Sequence, residues 1–175
     1  MSDTVSGVPE MIEVEYYRET AEQAVGRVVR EVVAPDDWYL KGGTTRRGVK
    51  AAVTGHTVVA ARRTGKLLLL DTSGPTLGLR FGMTGRLLVD GAGPIERLEY
   101  ASARDDPGWV RFALRFSDGS DLRMVDPRRL GGVMLDPDVG HLGVDALTVR
   151  PAQLRAALAA SRAPLKAWLL DQARV

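Results

Sequence analysis

The sequence predicts a mainly β domain with flanking helices, in which two antiparallel sheets form a sandwich or flattened barrel. Strand-like segments follow one another from about residue 50 to residue 137, with turn residues between them. One helical pattern precedes this β region and two follow it. Short strands with regular turns and helices at one end favour a two-sheet architecture. The length of 175 residues fits one compact domain and leaves little room for a second.

The first predicted element is an amphipathic helix over residues 11–25, which Gly26 is expected to end. The segment RVVREVV then alternates as a strand does, and residues 35–48, rich in Gly, Thr and Asp, are predicted to be a loop. The apolar face of the helix consists of Val14, Tyr17, Ala21 and Val25.

Predicted hairpins account for most of the β region. HTVVAA and KLLLLDT are joined around residues 63–65, and WVRFALRF and DLRMVD are joined by the Ser-Asp-Gly-Ser sequence of residues 117–120. LGLRF and RLLVD flank a turn at residues 82–85, and GGVMLDP adds one more strand. The total is six to eight antiparallel strands.

Two helices are predicted at the C-terminal end. Pro151 is expected to open the first, with Leu154 and Leu158 on one face, and Pro164 suits the first turn of the second. The apolar residues of the second helix are Leu165, Trp168 and Leu169.

Composition excludes several kinds of chemistry. The absence of cysteine rules out disulfides, a thiol nucleophile and any zinc site with Cys ligands. The chain has neither an apolar run of membrane-spanning length nor a signal-peptide pattern, so a cytoplasmic location is expected. His56 and His141 lack metal-ligand spacing and are interpreted as structural or surface residues.

Charge is distributed unevenly along the chain. Residues 1–37 contain nine acidic residues and three arginines, whereas residues 40–66 contain seven Lys or Arg and no acidic residue. Such a basic stretch is either a solvated face or an anion-binding surface, for which a polyphosphate backbone is the leading partner.

Three short motifs have modest interpretations when each is taken alone. GMTG at residues 82–85 is a turn between strands, and RRTGK at residues 62–66 is a basic hairpin tip. DPRRLGG at residues 126–132 is an Asp-Pro turn with solvated arginines.

Taken together and in order, the motifs indicate more. PEMIEVE, RRTGKLLLL, LRFGMTGRLLV, DPRRLGG and APLKAWLLDQARV resemble the N-terminal domain of the formamidopyrimidine-DNA glycosylase and endonuclease VIII family. The resemblance covers residues 9–175 and leaves residues 1–8 as a leader. It implies a DNA glycosylase and AP lyase of base excision repair that acts on oxidised or ring-opened bases in damaged duplex DNA near the bacterial nucleoid. It implies no cofactor and no metal.

The resemblance also implies catalytic roles. Pro9 is expected to be the nucleophile, because a free secondary amine can form a Schiff base with the sugar. Glu10 is the expected general acid/base, and Lys66 is the expected phosphate contact near the lesion. Glu13 is expected to support the pocket from the start of the helix.

Further residues are expected to contact DNA by the same resemblance. Met83 matches the family's void-filling residue, and Arg128 matches the arginine that pairs with the orphaned base. Leu130 occupies a wedge position that is normally Phe. Lys166 matches a lysine near the damaged nucleotide, and Arg63 is grouped with the DNA-binding residues of the basic hairpin.

The sequence departs from the family pattern in three places. Ile12 stands where a second proline is usual. The leader makes the nitrogen of Pro9 an amide, which is not nucleophilic, so we hypothesise that translation starts at Val8 and that removal of this residue frees Pro9. Full-length members continue into a helix–two-turn–helix module, in most followed by a zinc finger, so the chain is expected to be either a fragment or a stand-alone domain.

Two alternatives to the enzyme remain open at this point. The chain could be a non-catalytic DNA-binding domain that keeps the basic face of residues 41–66. It could instead be a repurposed domain that acts on a modified nucleotide or another small molecule. The sequence does not determine the oligomeric state.

Overall fold

The computed structural model describes residues 10–95, 106–169 and 171. The chain divides into two compact units, Met1–Pro137 and Asp138–Val175. The described part of the first unit contains two α-helices and eight strands, and that of the second contains two α-helices. The helices are α1 Met11–Ala21, α2 Arg46–Val53, α3 Pro151–Ala159 and α4 Leu165–Leu169. The strands are β1 Val29–Val33, β2 Val58–Thr64, β3 Leu67–Thr72, β4 Thr76–Arg80, β5 Arg86–Val89, β6 Val110–Phe116, β7 Asp121–Val125 and β8 Gly132–Leu135.

The strands form two four-stranded sheets with the orders β1-β6-β7-β5 and β2-β3-β4-β8. Every pairing within the two sheets is antiparallel. The predicted two-sheet antiparallel architecture with flanking helices is therefore confirmed, as is the β6–β7 hairpin. Its turn contains Gly119 in the left-handed region at φ +88°, which suits the Asp-Gly sequence.

The core lies between apolar faces of the sheets and α1. Val14, Tyr17 and Ala21 are fully buried, and α1 contacts β2, β3 and β5. The ring of Tyr17 packs against Phe81 with 4.4 Å between ring centroids. Because α1 touches strands of both sheets, it holds the site residues at its N-terminus in a fixed position.

The structure corrects the prediction at the end of the first helix. α1 ends at Ala21 and a 3₁₀ turn, Glu22–Ala24, follows it. Val25, which the helical spacing placed on the buried face, is 43% exposed because it is already extended.

A second correction concerns the end of the predicted loop of residues 35–48 and the residues after it, where the β region was expected to begin. Residues Arg46–Val53 form α2, which is capped by Thr45, whose hydroxyl accepts a hydrogen bond from the Gly48 amide at 3.0 Å. Val49 and Val53, four residues apart, are its buried residues. The helix spans only eight residues and contains Gly48, so the sequence pattern did not distinguish it from the loop before it and the strand after it.

The turn at residues 82–85 does not join a hairpin. β4 pairs with β3 and β8, whereas β5 pairs with β7, so the segment crosses from one sheet to the other. The β2–β3 hairpin is confirmed, but its turn lies at Gly65 and Lys66, one residue later than expected.

The second unit confirms the two predicted C-terminal helices. α3 begins at Pro151, and the Arg150 amide donates a hydrogen bond to the Gln153 side chain at 2.9 Å. α4 begins just after Pro164, whose carbonyl accepts a hydrogen bond from the Trp168 amide. Across the described residues of both units, no helix combines the length and apolar character that a membrane crossing requires.

Candidate active site

Two glutamates organise the N-terminus of α1. Glu10 occupies the capping position, and its amide donates a hydrogen bond to the Glu13 carboxylate at 3.0 Å. Glu13 is 9% exposed, and this bond holds its carboxylate at the positive end of the helix. Pro9, the predicted nucleophile, lies outside the described residues and directly precedes Glu10 in the chain.

Lys66 lies opposite this helix start. Its ammonium group forms an ion pair with the Glu10 carboxylate. The Glu10 side chain is 56% exposed and that of Lys66 is 35% exposed, so both can reach a bound molecule. Gly65, at φ +55°, makes the tight turn that places Lys66 at the hairpin tip.

Arg63 is buried behind Lys66, with 4% of its side chain exposed. Its guanidinium donates to the Glu15 carboxylate at 2.7 Å and to the Gly65 carbonyl at 2.8 Å. Burial alone would raise the pKa of Glu15, but the hydrogen bonds from Arg63 and Arg18 lower the pKa overall. This arrangement ties α1 to the hairpin turn and leaves little of Arg63 for the DNA contact that the resemblance implied.

The GMTG segment forms a tight loop beside α1. The Tyr17 hydroxyl donates a hydrogen bond to the Gly85 carbonyl at 3.2 Å, and burial raises the pKa of this phenol above its ordinary range. Thr84 is fully buried, whereas Met83 is half-buried. The loop therefore anchors its threonine inside and leaves part of the methionine accessible.

The DPRRLGG loop is organised by one buried carboxylate. Asp126 is fully buried and accepts hydrogen bonds from the Thr84 hydroxyl at 2.5 Å, the Arg128 amide at 3.2 Å and the Gly131 amide at 2.8 Å. Arg128 is exposed, and Leu130 is 49% exposed. The polar groups of the turn are thus satisfied internally, while the two predicted DNA-contacting side chains face solvent.

Arg129, between them, has a separate role. Its φ of +60° is uncommon for a residue other than glycine. Its guanidinium donates two hydrogen bonds to the Asp36 carboxylate, at 2.6 and 2.7 Å. These bonds hold the pKa of Asp36 below its ordinary value, against the opposing effect of burial.

Strand register brings the predicted motifs to one end of a sheet. Leu67 of β3 pairs with Arg80 of β4, and Arg80 pairs with Gly132 of β8. Lys66 precedes the first strand, GMTG follows the second, and DPRRLGG precedes the third. Adjacent strands lie about 4.8 Å apart, so these loops are neighbours.

The GMTG and DPRRLGG loops also touch each other directly. A Cβ added to Gly82 would lie 2.5 Å from the backbone carbon of Leu130, so only glycine permits this approach. Within the first unit, the structure therefore brings together five predicted site residues: Glu10, Lys66, Met83, Arg128 and Leu130. Lys166 belongs to the second unit, where it is exposed on α4.

The basic stretch of residues 40–66 is more compensated than its sequence indicates. Arg62 pairs with Asp71, Arg63 with Glu15 and Lys66 with Glu10. Each acidic partner lies outside the stretch, so the charge asymmetry of the sequence does not become a single uncompensated face.

Sequence reasoning missed the residues that support the site. The GMTG and DPRRLGG loops are held from their inner side by Asp36, Thr84 and Asp126. In the sequence these residues look like the polar residues that any turn contains, so no signal set them apart. Burial and the neighbouring Asp126 also raise the pKa of Tyr39 well above its usual range, so this buried phenol stays protonated. No group of three or more His, Asp or Glu among the described residues is placed to hold a metal ion.

The two four-stranded antiparallel sheets, and the capped acidic helix start that faces a lysine hairpin tip, agree with what the motif resemblance implied. The chain belongs to the family of the formamidopyrimidine-DNA glycosylase N-terminal domain, whose sequence model matches residues 8–133.

Sequence similarity to formamidopyrimidine-DNA glycosylases of several organisms agrees with this assignment. The chain is 28% identical to formamidopyrimidine-DNA glycosylase of Arabidopsis thaliana, over 94% of this chain and 46% of that protein. It is 34% identical to the enzyme of the same name from Parafrankia sp., over 94% of this chain and 60% of that protein. It is 37% identical to formamidopyrimidine-DNA glycosylase of Chloroflexus aggregans, over 94% of this chain and 60% of that protein. The chain thus spans about half to three fifths of these relatives.

Solved structures share the fold. Lactococcus lactis Fpg (MutM) in complex with N7-benzyl-Fapy-dG-containing DNA gives a TM-score of 0.72 at 21% identity, covering 94% of this chain and 61% of that one. The complex of Lactococcus lactis Fpg with abasic-site-containing DNA gives 0.73 at 20% identity, covering 95% and 62%.

Proposed function

We propose that this chain carries the catalytic domain of a DNA glycosylase/AP lyase that removes oxidised or ring-opened bases during base excision repair. The observation that carries the proposal is the Glu10–Lys66 ion pair, located at the sheet end where the GMTG and DPRRLGG loops meet. The Lactococcus lactis structures are complexes with DNA, which supports the same class of partner. Activity on genomic DNA implies a cytoplasmic location at the bacterial nucleoid.

The chemistry would begin at Pro9. Its free imino nitrogen attacks the anomeric carbon of the damaged nucleotide, the glycosidic bond breaks, and the base leaves with the bonding electron pair. The departing base takes up the proton that the nitrogen loses. Glu10, the next residue, protonates the ring oxygen O4′, so the C1′–O4′ bond opens and the nitrogen lone pair forms an iminium with C1′. The resulting iminium acidifies the neighbouring sugar carbon, so loss of a proton there expels the 3′ phosphate and cuts the strand.

The remaining site residues would bind the distorted duplex. Lys66 contacts phosphate beside the lesion, and its pairing with Glu10 keeps the cation at the reaction centre. Met83 fills the space left by the flipped nucleotide, Arg128 addresses the orphaned base, and Leu130 wedges into the stack. Lys166 of the second unit adds a DNA contact near the damaged nucleotide, while Arg63 and Glu13 hold the hairpin turn and the helix start from within.

Borohydride trapping on abasic-site DNA tests the proposal. A chain that begins at Pro9 is expected to form a covalent adduct, whereas the same chain with Pro9 left as an internal residue behind the leader is not. Glu10→Gln and Lys66→Met in the Pro9-initiated chain should each lower the trapping rate at least about tenfold. Arg30→Met, a change to an exposed cation on β1, is the matched control for Lys66→Met and should trap normally.

Absence of any adduct from the Pro9-initiated chain contradicts the lyase mechanism. Salt-dependent DNA binding without trapping would instead support the non-catalytic DNA-binding domain. Absence of DNA binding even at low salt would favour the repurposed domain that acts on a small molecule.

A further inference from the structure

Trp38 is the most exposed large apolar side chain of the described residues, with 66% of its surface open to solvent. The Lys41 ammonium lies 4.2 Å from the centroid of its ring. An exposed indole with a cation beside it combines the two chemistries by which proteins hold single-stranded nucleic acid: a flat ring for base stacking and a positive charge for phosphate.

The backbone holds this pair rigidly. Trp38 lies in the 3₁₀ turn Asp37–Tyr39, and its amide donates to the Asp36 carboxylate at 3.1 Å. Tyr39 is fully buried, and the Lys41 amide donates to the Val133 carbonyl of β8 at 2.8 Å. The indole is therefore presented from a fixed segment, which lowers the entropic cost of stacking on it.

The same segment borders the DPRRLGG loop. Asp36 receives both hydrogen bonds of Arg129, and a Cβ added to Gly132 would lie 2.6 Å from Cγ of Lys41. The Trp38–Lys41 pair therefore lies next to the loop that exposes Arg128 and Leu130.

The surrounding charges favour an anionic partner. The nearby acids are compensated, since Asp36 pairs with Arg129 and Asp37 with Arg46. Arg46 also donates to the Pro35 carbonyl at 3.0 Å, which fastens the start of α2 to this segment. On α2, Arg47 and Lys50 are exposed, and within the described ranges neither pairs with a carboxylate.

We propose that Trp38 and Lys41 form a stacking platform for an unpaired base, extending the DNA surface from the DPRRLGG loop toward α2. This inference rests on the proposed DNA binding. The base stacks on the open part of the indole, and Lys41 turns toward the adjacent phosphate. DNA with a bulged or unstacked base beside the lesion is the substrate that such a platform distinguishes from a regular duplex.

The test uses fluorescence anisotropy to measure binding of the 175-residue chain, at low salt, to two labelled duplexes, one regular and one with a bulged base. Trp38→Ala is expected to weaken binding to a bulge-containing duplex about tenfold, and Trp38→Phe to retain most of it, because base stacking tolerates any aromatic ring. Lys41→Ala should make the salt dependence of DNA binding less steep, by the amount expected for the loss of about one phosphate contact. Val59→Ala is the matched control, because Val59 is also an exposed apolar residue, 49% exposed on β2. The DNA affinity of this variant should equal that of the unaltered chain.

Two outcomes would overturn the inference, and they are distinguishable. If the unaltered chain binds DNA and Trp38→Ala binds the bulged duplex equally well, the platform is absent while the proposed function stands. If the unaltered chain binds neither duplex at low salt, DNA binding and the platform fail together. Equal denaturation midpoints of Trp38→Ala and the unaltered chain establish that an affinity loss is not a folding defect.

Discussion

The hydroxyl of Thr84 donates a hydrogen bond to the carboxylate of Asp126 at 2.5 Å, and both side chains are fully buried. This bond joins the GMTG loop to the DPRRLGG loop. Since Met83 neighbours one partner and Arg128 follows the other closely, the bond sets the spacing between two predicted DNA-contacting side chains.

Thr84→Val tests this joint, because valine keeps the shape and removes the donor. The change leaves a buried carboxylate oxygen without its hydroxyl partner, so we expect a loss of about 1–3 kcal/mol in the free energy of unfolding. Urea denaturation measures it. Thr54→Val, at an exposed position after α2, is the control and should stay within about 0.5 kcal/mol of the unaltered chain. Equal effects of the two changes would show that the joint contributes nothing.

Two adjacent arginines allow a comparison of buried and exposed ion pairs. Arg63→Met should destabilise the chain by about 1–3 kcal/mol, because the Arg63 side chain is only 4% exposed and the change removes its bonds to Glu15 and to the hairpin turn. Arg62→Met removes a pair with Asp71 from a side chain that is 55% exposed, and should cost less than about 1 kcal/mol. Thermal and urea unfolding give both values, and a reversed order would contradict the supporting role of Arg63.

The Asp36–Arg129 pair predicts a specific dependence on pH. The folded pKa of Asp36 lies below its unfolded value, so the pair stabilises the chain above the unfolded value and loses that effect as pH falls through the folded pKa. The stability gap between the unaltered chain and Asp36→Asn should therefore narrow as the pH is lowered from about 5 to about 2. Asp37→Asn, at an exposed neighbour whose side chain is 74% accessible, should show only a small effect throughout. A gap for Asp36→Asn that is constant over this range would refute the linkage.

Glycine at position 82 is required for two separable reasons. Gly82→Ala adds a Cβ at φ +56° and places it 2.5 Å from the Leu130 backbone. At Gly119 an added Cβ would lie in open space, so Gly119→Ala is opposed only by the left-handed backbone conformation at φ +88°. This change should lower the free energy of unfolding by about 1–2 kcal/mol. Gly82→Ala should cost more than this and should also weaken DNA binding, because the Leu130 loop must move. Unfolding and anisotropy measurements on both variants check this, and equal unfolding costs would refute the close loop contact.

The β6–β7 hairpin was predictable because a four-residue signal at residues 117–120 determines its turn. The distribution of strands between sheets was not, since β1 pairs with β6 and β5 with β7 through contacts that no local pattern encodes. α2 was missed because its helical character depends on the Thr45 cap and two buried valines.

The residues of the candidate site were likewise predictable only in part. Lys66, Met83 and Arg128 were located through ordered motifs, and strand register explains why distant motifs lie together. Asp36 and Asp126 act from behind the surface, and whether a turn aspartate is solvated or buried depends on tertiary packing, which sequence periodicity does not report. Pro9 lies outside the described residues, so its role stays a prediction.

The pairing of β1 with β6 joins Val29 to Phe116, residues far apart in the order of synthesis. During translation, that sheet can close only after the ribosome has released most of the first unit. Such high contact order slows folding, because a long loop must lose entropy before the distant strands compensate for it. Until β6 emerges, β1 has no partner strand in its sheet, and a nascent chain stalled before that point should be unusually open to proteolysis.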